Sequence, residues 1–96
     1  MNRLSVSEPT TMGEVTVRLD HLFREKMGEI IQCVPKVGTG LPVKRGQQLV
    51  SFETNRCITS VKSPVDGLII AQDSHSMINC PGDITSETVL FWIQTK

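Results

Sequence analysis

Apolar residues in this chain come only in short runs, and each run is cut off by a turn signal. The longest is Val89-Leu90-Phe91-Trp92-Ile93. Others are Leu68-Ile69-Ile70-Ala71 and the alternating Val15, Val17 and Leu19. Between them fall Pro35, Gly38, Gly40, Pro42, Gly46, Pro64, Gly67, Pro81 and Gly82. Proline and glycine punctuate structure because one lacks the backbone donor and the other tolerates positive φ. Runs this short favour strands over long helices, and many short strands with one helix point to an all-β barrel or sandwich of antiparallel strands.

The individual segments follow from their periods. Val15, Val17 and Leu19 alternate with polar residues and predict a half-buried strand. Asp20 can cap the free N–H groups of a helix, and Gly28 can end it, so a helix of about two turns is expected over residues 20–27. Strands are expected over 29–34, 49–54, 57–62, 65–72 and 89–93, with a turn-rich polar stretch over 73–88. Asn55-Arg56 separates two strand-like runs and predicts a hairpin tip. In the last strand Trp92 points opposite to Phe91 and Ile93, which predicts partial exposure. Residues 1–13 hold few apolar anchors and are expected to be flexible, followed by a single domain over 14–96.

The chain has 96 residues and one domain's worth of length. Ten basic residues balance ten acidic ones, and the densest basic pair, Lys44-Arg45, is too short for a nucleic-acid stripe. One Trp, three Phe and no Tyr leave little material for stacking bases. No apolar run approaches the ~20 residues that cross a bilayer, and Met1-Asn2-Arg3-Leu4-Ser5 lacks the apolar centre of a secretory signal. A cytoplasmic protein with no nucleic-acid or membrane partner is therefore expected. Three cysteines without metal-type spacing fit reduced thiols. Cys33, Cys57, Cys80, His21 and His75 are scattered, so no metal site is expected. Asp66, Asp73, Asp83 and Glu87 show no spacing that selects a catalytic pair, and no enzymatic activity is expected.

The informative stretch is Glu53-Thr54-Asn55-Arg56-Cys57, then Ile58 to Lys62, then Ser63-Pro64-Val65-Asp66-Gly67. It resembles the swinging-arm hairpin of lipoyl domains, where an acidic residue, two further residues and a lysine form the tip and a Ser-Pro-Val-x-Gly turn follows the return strand. Upstream, Met27-Gly28-Glu29 is similar to the Leu-Gly-Asp of the glycine cleavage H proteins. Pro35-Lys36-Val37-Gly38-Thr39 resembles their Pro-x-Val-Gly-Thr loop, and Val43-Lys44-Arg45-Gly46 their Val-x-x-Gly turn. Ser76-Met77-Ile78-Asn79 and the strand after it resemble the close of the same domain. The resemblance runs over residues 15–94. It implies a lipoyl-type barrel-sandwich hybrid, a lipoyl group as the family cofactor, and a protein partner from the glycine cleavage or another lipoate-dependent system. The longer N-terminal hairpin and C-terminal helical tail usual in H proteins are not matched here.

The residue in the lysine register is Arg56. Lipoylation forms an amide, so the carrier side chain must attack as a neutral amine. A lysine offers roughly one neutral molecule in two thousand at pH 7, and an arginine fewer than about one in 100,000. Arg56 is thus expected to stay unmodified, with no cofactor bound. Two readings of it stand: a solvated charge on a tight turn, or a fixed cation at an exposed tip that contacts a carboxylate or phosphate. The partner-binding tip is expected to comprise Glu53, Thr54, Asn55, Arg56 and Cys57, with Glu53 and Arg56 as a local ion pair. The chain then reads as a non-lipoylated docking or regulatory module in lipoate-dependent or one-carbon metabolism. The alternatives are a working carrier attached through Lys62 or Cys57, and a redox protein using Cys57.

Overall fold

The computed structural model describes residues 2–95. Met1 and Lys96, the outer limits of the two expected ranges, lie outside the described residues. In chain order the elements are β1 (Leu4–Val6), β2 (Glu14–Leu19), α1 (His21–Met27), β3 (Ile30–Pro35), β4 (Pro42–Val43), β5 (Gln48–Thr54), β6 (Ile58–Lys62), β7 (Gly67–Gln72), α2 (Ser74–Asn79), a 3-10 turn (Pro81–Asp83) and β8 (Phe91–Thr95). No helix among the described residues is long and apolar enough to cross a membrane.

Two antiparallel sheets form. One has the order β1-β2-β8-β7-β4, the other β3-β5-β6. Alternation in β2 does what its period predicts: Val15, Val17 and Leu19 are buried, while Glu14, Thr16 and Arg18 are half-exposed. Opposite them in register stand Ile93 and Phe91 of β8. Leu49, Val50, Phe52 and Val61 supply the inner side of the smaller sheet. Ile69, Met77, Ile84, Leu90, Phe91 and Ile93 complete one continuous core. Each such side chain contributes about 1.5–3 kcal/mol when fully removed from water, and that common burial locks the two sheets face to face. This is the expected all-β barrel-sandwich architecture.

Gly67 shows how closely the strands approach. A Cβ built there would collide with the Gln94 carbonyl oxygen, so the β7–β8 pairing tolerates no side chain at that point.

Several details differ from the sequence reading. Residues 4–6, within the segment expected to be flexible, form β1 and pair with β2 through Leu4↔Leu19 and Val6↔Val17. Leu4 is the anchor, packed against the core. A second helix, α2, occupies part of the stretch read as turns. Asp73 caps it by accepting from Ser76 N at 3.1 Å, and Met77 is its one buried residue. The last strand runs from Phe91 to Thr95 rather than over 89–93, and Leu90 just before it donates its N–H to the Val17 carbonyl and accepts from Asp73 N. Trp92 is half-buried, as the alternation predicts.

Candidate functional site

β5 and β6 are adjacent strands joined by Asn55-Arg56-Cys57, with Glu53 opposite Ile58 at the base of the turn. Cys57 belongs to the connection and not to the return strand, one residue more than the sequence suggested. The reason is Thr54. Its backbone N–H donates to the Cys57 carbonyl at 2.9 Å. The residue is buried, and its hydroxyl oxygen accepts from the N–H groups of Arg56 and Cys57, both at 3.1 Å. A Ser/Thr turn of this kind satisfies donors that a wider hairpin would leave to water.

The tip does not stand free. It is fastened to the turn between α1 and β3. Asn55 makes two bonds to Glu29: its side-chain oxygen accepts from Glu29 N at 2.9 Å, and its own N–H donates to the Glu29 carbonyl at 3.1 Å. Gly28 makes the close approach possible. Its φ of 87° and ψ of −164° lie in a region open essentially to glycine alone, and a Cβ there would collide with the Asn55 side-chain oxygen.

Arg56 is exposed, and its aliphatic stem lies over Gly28. Its Nη1 donates to the carbonyl of Lys26, at the last turn of α1, at 3.1 Å. The last carbonyls of a helix lack intrahelical donors and carry partial negative charge, so a cation there satisfies both needs. Arg24 does the same nearby, donating to the Gly28 carbonyl at 2.7 Å and to the Ile84 carbonyl at 2.8 Å. The expected Glu53–Arg56 ion pair is not formed. Among the described residues the only carboxylate within salt-bridge distance of a basic side chain is that of Glu25, 3.1 Å from His21 Nε2. Strand alternation explains this: Glu53 lies between the inward Phe52 and Thr54 and points outward, while Arg56 turns back onto α1.

Of the expected site residues, the structure thus gathers Thr54, Asn55, Arg56 and Cys57 in one turn. It adds Lys26, Gly28 and Glu29, which the sequence reading did not assign to the tip. Their signal was the Met27-Gly28-Glu29 match, which carried no hint of contact with residues almost thirty positions on. Lys62 lies at the far end of β6, opposite Gln48, about 13 Å from Ile58 at the base of the turn at the usual strand rise. Cys57 is an exposed free thiol, and Cys80 is partly exposed. Cys33 is buried, and burial pushes its thiol up to about 11 against a smaller opposing effect of Arg24. No group of three potential metal ligands occurs among the described residues. Two of the carboxylates considered for acid–base work are structural: Asp66 accepts from Arg45 N, and Asp73 caps α2.

No family model matches the sequence, and no curated protein sequence matches it. Among solved structures, the glycine cleavage system H protein from Mycobacterium marinum superposes with a TM-score of 0.76 at 17% identity. The match covers 97% of this chain and 76% of that one. Two facing antiparallel sheets and a β5–β6 hairpin fastened to a short helix therefore constitute, in this chain, the fold of a glycine cleavage H protein.

Proposed function

We propose that this chain is a lipoyl-carrier-type module that bears no lipoyl group and serves as a docking or regulatory protein. The hairpin tip, Glu53 to Cys57, meets a protein partner of the glycine cleavage or another lipoate-dependent type. The protein has no catalytic role of its own and works in the cytoplasm.

One observation carries the reading. Arg56, which the sequence resemblance sets in the register of the carrier lysine, has its guanidinium drawn down onto the Lys26 carbonyl. A carrier arm must leave the surface and enter a partner's active site. A guanidinium is not acylated under conditions that acylate a lysine, and this one is engaged with its own helix. What remains of the family's equipment is the shape of the tip, which is what a docking partner would recognise.

Intact-mass analysis after co-expression with a lipoate ligase tests this. The expected result is no added lipoyl group. A single lipoyl adduct, at Lys62, Cys57 or elsewhere by peptide mapping, would overturn the reading. Arg56→Lys restores an amine at the apex and is expected to be lipoylated. The folded variant staying unmodified would mean that the ligase does not recognise this tip.

A further inference from the structure

Each sheet has a free edge on the same side of the molecule. β1 pairs only with β2, and β6 pairs only with β5. In an antiparallel strand, alternate residues turn both backbone groups toward the partner and the others turn both away. The Arg3 carbonyl accepts from Asp20 N, and Ser7 N donates to the Thr16 carbonyl. Arg3, Ser5 and Ser7 therefore face β2, and Leu4 and Val6 offer their N–H and C=O groups outward. On the other side, the Cys57 carbonyl and Ser63 N bond toward β5. Counting by twos leaves Ile58, Ser60 and Lys62 facing outward, and Ser60 confirms it by accepting from Arg3 Nη1 at 2.7 Å.

The same outward-facing residues line a groove of about 460 Å³ between the two edges: Leu4 and Val6 on one wall, Ser60, Lys62 and Pro64 on the other, with Arg3 at one end. Its charge has one sign. Arg3 and Lys62 are its charged residues, no carboxylate lines it, and neither cation is in an ion pair among the described residues. Arg3 is also held in place. Its guanidinium lies 5.6 Å from the Phe23 ring centroid, and its Nη1 bonds to Ser60 and Thr59.

We propose that the groove between β1 and β6 docks a short, extended, acidic segment of a partner protein. The segment inserts as a strand and pairs with the outward backbone groups of Leu4, Val6 and Lys62 and with the Ser60 N–H, the Ser60 carbonyl being already bonded to Arg3. Its apolar side chains rest on Leu4, Val6 and Pro64, and its carboxylates face Arg3 and Lys62. Backbone pairing supplies affinity that does not depend on sequence, and the cations select the acidic partner. The proposal stands apart from the reading of the hairpin tip, since no residue of the Asn55–Cys57 turn lines the groove.

Fluorescence anisotropy with a labelled acetyl-Asp-Val-Asp-Val-Asp peptide tests it on the whole chain. The peptide is expected to bind and its lysine counterpart (Lys for each Asp) is not. A version N-methylated at alternate amides keeps the charge but loses the pairing, and is expected to bind about tenfold more weakly or worse. Val6→Pro removes one outward N–H at a sheet edge that tolerates proline, and is expected to weaken binding about three- to tenfold. Lys62→Glu needs no backbone change, and is expected to weaken it about tenfold. Absence of binding to the unaltered chain overturns the proposal. So does equal binding of the lysine peptide, or of the N-methylated one, which would mark a plain anion site. Full affinity in both folded variants overturns it as well.

Discussion

Replacing Gly28 by alanine strikes the junction on which the hairpin tip depends. Gly28 holds a backbone conformation that costs other residues about 1–3 kcal/mol. Its new Cβ would also displace the Asn55 side-chain oxygen from Glu29 N, a bond of 2.9 Å with a net value of about 0.5–1.5 kcal/mol. Together these give a loss of about 2–4 kcal/mol, a large share of the stability of a domain this size. At about 4–8 °C per kcal/mol, the midpoint of thermal unfolding falls by roughly 8–30 °C. Urea titration followed by the fluorescence of the single, half-buried Trp92 reads the loss directly. Gly40→Ala is the control, because Gly40 has a φ of 89° yet nothing within 4 Å of its would-be Cβ. It is expected to lose less than Gly28→Ala. Asn55→Ala combined with Gly28→Ala removes the collision but keeps the backbone strain, so the two losses fall short of additive by about 1 kcal/mol. Full additivity, or an equal loss at Gly40, would refute the claim that Gly28 exists to let the tip dock.

Phe52→Ala empties the centre of the smaller sheet and is expected to cost about 3–5 kcal/mol in urea titration. Asp73→Ala removes the cap of α2 and is expected to cost about 0.5–2 kcal/mol by the same measurement. Cys33 gives a pH signature. Its thiol keeps its proton in the folded state up to about 11, whereas an unfolded cysteine releases it near 9. The folded state therefore binds more protons between those values, and the contribution of Cys33, complete below pH 9, is lost as pH rises toward 11. Cys33→Ala is expected to flatten that part of the stability profile. Iodoacetamide followed by peptide mapping is expected to label the exposed Cys57 well before the buried Cys33.

Much of the fold is legible without coordinates where it rests on neighbours in sequence. The period of two at Val15, Val17 and Leu19 determines which face of β2 is buried, because successive strand side chains alternate whatever lies around them. Asp20 and Gly28 bound α1 for equally local reasons, a cap and a positive φ. Asn55-Arg56 marks the hairpin, because a turn residue between two strand-like runs is a local signal. The length of α2 was not legible, since only Met77 anchors it and its polar composition reads as turn.

Tertiary structure decided what these local pieces do to one another. The bonds of Asn55 to Glu29 and of Arg56 to Lys26 join residues 26 and 30 positions apart. No periodicity reports contacts at that separation. Glu53 and Arg56 are close in sequence and still unpaired, because the strand sends one side chain outward while the helix end draws the other back. The two free edges around the Arg3–Lys62 groove come from β1 and β6, which meet only once both sheets have closed over the shared core. Local patterning writes each element's own geometry, whereas the partners of an edge, a carbonyl or a cation follow from packing among elements distant in the chain.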